Sequence, residues 1–363
     1  MAIHFHPSRW EAIRKNYDSW WDHKLDRPLI SVQLETQDPG RPQPAAPLLS
    51  QETALDLSWS PEDLIDRIDY ELSKQEFLGD AYPHFNMDCF GPGVLAAFLG
   101  ATPDNSTGRI WFHVDEHKEL SQLHFQYQPE NVWFQRVKDI YRAANRKWNG
   151  QVVMGMVDLG GVMDVLAVFR GTDNLLMDLY DEPEEVKRLV KELHELWMRY
   201  YGELCEILEE CAQGYSDWSK IFSSQRSYII QSDFSFMISN PMFQEFILGE
   251  LEQCTQELPR TIYHLDGPGE LKHLDNLLNL PQLNAVQWVP GAASPDQSHW
   301  PEVYAKIHQA GKGTQIWDGY DCLRAVKQQV GTLEGVHFFH IGGPCSLEER
   351  EQHLAALKEF GVE

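Results

Sequence analysis

Hydrophobic and polar positions along the chain follow two rhythms, and the change between them falls near residue 82. Ahead of it, HPSRWEAIRKNYDSWWDH reads as a helix, and the short apolar run PLISVQL follows. TQDPGRPQPAAP is then expected to be a surface loop. Ser60-Pro61 opens another helix, because serine caps well and proline suits the first helical position. Beyond residue 82 short β-rich runs recur: AYPHFNMD, QVVMGMVD, RSYIIQSD, RTIYHLD, LNAVQWV, GTQIWDG and GVHFFHIGG. Helical patterns separate most of them. The clearest helix runs from Asp181 to about Cys211, with Val186, Leu189, Val190, Leu193 and Trp197 on one face and Gly214 available to end it. Ser346 with Glu349 three residues on forms a capping-box pattern at the start of the last helix.

Strands alternating with helices imply a parallel sheet in an α/β fold. The expected architecture is a (β/α)8 TIM barrel over residues 81–363, with residues 1–80 as an N-terminal helical lead-in packed on it. An eighth strand is expected in GRIWFHV or PLISVQL. A doubly wound open sheet is the alternative, but no GxGxxG follows an early strand.

Nearly every β-rich run ends in polar or aromatic residues followed by Gly or Pro. Asn86 and Asp88 precede FGPG, Asp158 precedes LGG, and Asp233 precedes FSF. His264 and Asp266 precede GPG, Trp288 precedes VPGA, Trp317 and Asp318 precede GYD, and His340 precedes IGGPC. In a barrel these ends share one face, and catalytic groups come from that face. Asn86, Asp88, Asp233, Trp288, Trp317, Asp318 and His340 are therefore candidate substrate contacts, and His264, Asp266 and Asp158 candidate catalytic groups.

His264-Leu265-Asp266 is the sharpest local feature. Residues two apart on a strand share a face, so the imidazole and carboxylate point the same way. They could serve as an acid–base pair or bind a metal, with Cys345 of the IGGPC loop as a third ligand. The bland alternatives are that Asp266 caps its turn and Cys345 is a buried loop residue. Asp164 and Arg170, in VDLGGVMDVLAVFRG, read as a helix-start cap and a surface charge.

Charge narrows the partners. A net charge of −25 repels nucleic acid and anionic membranes. No apolar run reaches a membrane-spanning length. The N-terminal segment lacks the basic and apolar regions of a secretory leader, and the six cysteines form no CxxC pair, so reduced thiols in the cytoplasm are expected.

The segments VDLGGVMDVLAVFRGTDNLLMDLYDEPEEV, SDFSFMISNPMFQEF, YHLDGPGELKHLD, LNAVQWVPGA and HIGGPCSLEE together resemble the uroporphyrinogen decarboxylase-like superfamily, from about Ser60 to the C-terminus. One branch of it decarboxylates a tetrapyrrole without a cofactor and carries an Arg-rich N-terminal motif. SRWEAIRKNYDSWW does not reproduce that motif. The other branch moves methyl groups between corrinoids and small acceptors, commonly with zinc. It places a His-x-Cys pair at one strand end and a Cys in a late Gly-rich loop. Here His264, Asp266 and Cys345 stand at the matching places, with Asp for the first Cys. The resemblance implies a zinc-assisted methyltransferase working on a small molecule, with the corrinoid on a separate protein, because the Asp-x-His-x-x-Gly signature of a corrinoid module is absent. It also implies possible self-association into a homodimer. The rival readings are a metal-free decarboxylase of a tetrapyrrole or other carboxylate, and a non-catalytic binder of a corrinoid or flat small molecule.

Overall fold

The computed structural model describes residues 3–211 and 213–362. It is a mixed α/β protein with a large, mainly parallel sheet. The strands are β1 (Leu29–Glu35), β2 (Gln75–Gly79), β3 (His84–Phe85), β4 (Thr102–Asp104), β5 (Trp111–His113), β6 (Val153–Met154), β7 (Ser227–Gln231), β8 (Arg260–Asp266), β9 (Ala285–Val289), β10 (Gly313–Ile316) and β11 (Val336–Pro344). Seven of them form one sheet in the order β2-β1-β11-β10-β9-β8-β7. Only β2 runs antiparallel to its neighbour. A parallel pair, β3 with β6, and an antiparallel ribbon, β4 with β5, stand apart.

The ladder between β1 and β11 sets the N-terminal segment into the sheet, with Leu29 opposite His337 and Val32 opposite His340. PLISVQL is thus a strand of the central sheet, while GRIWFHV supplies β5 of the ribbon. The β3–β6 pair is tied to its neighbours by side chains. Gln33 Nε2 on β1 donates to Tyr82 O at 3.4 Å, and Tyr228 Oη on β7 accepts from Leu159 N at 2.7 Å.

Local sequence explains the helices. Arg9–Trp21 buries Trp10, Ile13, Tyr17, Trp20 and Trp21, a single helical stripe, against the sheet. Ser60 caps Pro61–Ser73 by accepting from Asp63 N, and the Ser346–Glu349 capping box is formed in both directions. The long helix Pro183–Glu209 packs the predicted apolar face inward and stops short of Gly214. Arg170 is not a surface charge. It is buried and grips Asp178 through two bonds of 2.6 and 3.1 Å.

The feature that positions the site is a row of polar residues in register across neighbouring parallel strands. Gln231 lies opposite His264, His264 opposite Gln287, Gln287 opposite Gln315, and Gln315 opposite His337. Register partners share a face of the sheet, so this row is one polar band on the side away from Leu265 and Trp288.

Candidate active site

The band ends in a cavity of about 390 Å³. Asp88, Asp158, Asp233 and His264 line it, with Gln231 and Trp218 from the wall and Arg109, Ile110 and Trp111 from the β4–β5 ribbon and its approach. The Trp218 and His264 rings meet edge to face, 4.8 Å apart.

One backbone carbonyl fixes the state of His264. Ser219 O can only accept, and Gln315 Nε2 donates to it at 2.6 Å. The same amide nitrogen faces His337 Nδ1 at 2.8 Å, which must then accept. Gln315 Oε1 is left to accept from Gln287 Nε2 at 2.5 Å. Gln287 Oε1 in turn must accept, so His264 Nδ1, 2.5 Å away, carries the proton. In the neutral ring that leaves Nε2 with a free lone pair, in a residue that lines the cavity.

Carboxyl groups surround it. Burial pushes Asp158 up to about 7, and the charges of Asp233 and Asp88 outweigh part of what its bond from Gly160 N gains. Asp158 is therefore a proton donor or acceptor near neutral pH. Asp164 caps no part of its own helix. It accepts from Phe234 N at 2.7 Å and Asp233 N at 3.1 Å, and so holds the turn that presents Asp233. Asp233 itself is raised by burial among protein atoms, drawn down by His264 and pushed up by Asp266.

The structure brings Asp88, Asp158, Asp233 and His264 together around one cavity, and Asp266 acts electrostatically on Asp233 from the same strand end. Asn86 lines an adjoining chamber, where its Oδ1 is buried without a partner among the described residues. The other candidates lie elsewhere. Trp288 is fully buried and packs on Trp300 at 5.0 Å, because strand alternation turns it away when Gln287 points in. Trp317 packs on Phe339, Asp318 accepts from Gln297 N, and His340 lies against His353 at 4.6 Å. Trp288→Ala is accordingly expected to cost roughly 3–5 kcal/mol of stability, read by urea unfolding. A change in substrate affinity at unchanged stability would return Trp288 to the site.

The donors expected to converge on zinc do not. Cys345 N bonds Glu35 O at 3.1 Å, which anchors the thiol at the β1–β11 edge beside Glu76, Glu349 and Arg350. Among the described residues, the group whose ligand atoms lie within 4.8 Å of one another is His194, Glu250 and Cys254. There both ring nitrogens of buried His194 face carboxylates, Glu250 at 3.0 Å and Glu257 at 3.5 Å. Burial lowers the His194 pKa, but Glu250 and Glu257 together outweigh it and raise it, and His194, Glu250 and Cys254 form a candidate metal site.

Gln231, Gln287, Gln315, Trp218 and Arg109 were missed by the sequence reading. The signal for the glutamines was parity: each sits inside a strand, one or two residues before an end residue chosen for its chemistry.

No family model matches the chain, and no curated protein matches it in sequence. Among solved structures, a methyltransferase from Methanosarcina mazei is similar in fold, with a TM-score of 0.59 and 14% identity over 96% of this chain and 99% of that one.

Proposed function

We propose that the chain is a methyltransferase acting on a small molecule in the His264 cavity, built on a (β/α)8 barrel of the uroporphyrinogen decarboxylase-like superfamily. The parallel ladder from β1 to β11 supports a closed wall, because it joins the first parallel strand to the last. The observation that carries the function is the His264 ring, held by its Nδ1 bond to Gln287 with Nε2 left to a cavity that it shares with the buried Asp158 carboxyl.

The ligand atoms of His264, Asp266 and Asp233 are not among those that converge within 4.8 Å of one another, so these three do not fit zinc; the set that does converge among the described residues is His194, Glu250 and Cys254. The chain's own residues carry the transfer. The acceptor's heteroatom gives its proton to Asp158 and forms its bond to the methyl carbon. The bond from methyl to carrier breaks, and its electron pair stays on the carrier. Trp218 and Trp111 supply apolar surface to the cavity wall. The carrier we propose is a corrinoid on a separate protein.

Metal analysis tests the donor set. Any zinc bound by the wild type is expected to be kept in Cys345→Ser and in His264→Ala, and to fall in Cys254→Ser. Loss of zinc in Cys345→Ser would restore the thiol to the site. Methyl transfer from methylcobalamin to thiols, alcohols and amines, followed by absorbance, tests the reaction, and the absence of transfer to all three would overturn it. A polycarboxylate substrate is disfavoured, because three carboxyl residues line the cavity against a single arginine.

A further inference from the structure

We propose that the chamber next to the His264 cavity is a second ligand site, which takes the carboxylate of a small molecule with an apolar body and holds it by Lys220. The chamber is about 390 Å³ in volume. Its body is apolar, formed by Leu48, Leu49, Ile68, Leu72 and Ile341. Gln51 and Asp88 belong to both cavities, so ligands in the two would meet across them.

Lys220 is placed there by a costly backbone. Its φ is +63°, in the left-handed region that non-glycine residues rarely adopt. The turn is pinned by Lys220 N donating to Asp217 O at 2.9 Å. The Asp217 carboxylate is in turn used up by Ser219 N, Ser219 Oγ and Ile229 N, at 2.5–2.8 Å. Burial lowers the Lys220 pKa, with Asp88 and then Asp217 opposing it, yet the amino group forms no ion pair among the described residues. Its contacts are one bond of 3.3 Å to Trp218 O and the face of Phe339 at 4.7 Å. An ammonium has three donors, so capacity remains.

A second donor stands beside it. The Gln33 amide nitrogen that donates to Tyr82 O also faces His84 Nδ1 at 3.1 Å. With Gln33 donating, Nδ1 accepts and the proton of this ring sits on Nε2. His84 is buried, and burial with the charge of Lys220 holds it neutral. Lys220 and His84 both line the chamber, a cation and a neutral N–H donor at one end of an apolar space. That pairing suits a singly charged carboxylate. A dianion would meet too little positive charge and would sit against Asp88 and Glu71, the second already paired with Arg67 and Lys74.

The inference does not rest on methyl transfer, and binding alone tests it. Isothermal titration of the full chain with hexanoate, hexanol and hexylamine is the experiment. Hexanoate is expected to bind the wild type roughly 10- to 100-fold more tightly than the alcohol or amine, and Lys220→Met to lose that margin. Ile341 is an exposed wall residue, so Ile341→Trp should fill the chamber without harming the fold and should abolish hexanoate binding. His264→Ala should bind hexanoate normally, which separates this site from the proposed reaction. No measurable hexanoate binding, equal binding of hexanol, or unchanged binding in Lys220→Met or Ile341→Trp would each overturn the proposal.

Discussion

Asp158→Asn is expected to lower methyl-transfer turnover by roughly 10²–10⁴-fold, the usual worth of a positioned acid–base group. The wild-type rate should rise with pH through about 7, because the ionised carboxylate accepts the proton and burial places its titration there. The asparagine variant should lose that limb and keep its fold, since the amide oxygen can still accept from Gly160 N as the carboxylate does at 2.9 Å. A variant that retains the pH limb would move the proton acceptor elsewhere on the cavity wall. Asp233, raised in the same direction, is then the next group to test.

The second large effect is on stability. Glu270 is fully buried; one carboxyl oxygen accepts from Asp266 N at 3.2 Å, and the other has no partner among the described residues. Burial, and then the charge of Asp233, pushes it up to about 9. The unfolded chain would ionise it near pH 4.3. Between those values the folded state holds a proton that the unfolded state has lost, so raising the pH across this window destabilises the fold. Above about 9 the effect levels off. Glu270→Gln removes this term and should leave stability unchanged at pH 4. At pH 9 it should raise stability by on the order of a few kcal/mol. Thermal unfolding at stepped pH reads the difference. Wild-type and variant curves that stay parallel from pH 5 to 9 would show that Glu270 ionises normally. Asp158 and Asp164 act in the same direction up to about 7 and about 8, so some slope persists in the variant.

Much of the scaffold was legible because strands and helices announce themselves by period and caps. RTIYHLD and LNAVQWV became β8 and β9, and the Ser60 and Ser346 caps formed as their side chains dictate. AYPHFNMD and QVVMGMVD looked equally strand-like, yet each contributes only two residues of ladder, because side chains and turns take over their backbone bonds. At the site, His264, Asp158, Asp88 and Asp233 were legible as polar ends of strands. Trp288 was misplaced because chemistry was weighed above parity: the five-residue strand Ala285–Val289 turns Gln287 inward and Trp288 outward. Cys345, offered as a third ligand from a loop, lies off the cavity because that segment is not a loop. Residues Gly342 to Pro344 instead prolong β11 along β1. Long-range pairing of that kind leaves no mark in the local sequence.

The chain of bonds from Ser219 O to His264 also constrains how this protein can change over evolutionary time. Gln287 must accept at one end and donate at the other, and Gln315 must do both while spanning to a third partner. A glutamate at Gln287 would set two acceptors against each other at Gln315 Oε1, one at Gln315 would do so at Ser219 O, and an aliphatic residue would break the chain. Replacement by a shorter amide would leave gaps on both sides. Each substitution changes the meaning of the others, so these positions form one unit of inheritance although they lie on separate strands. A single exchange at either glutamine is therefore expected to free the ring of His264, and only a paired exchange that restores both bonds would keep its orientation.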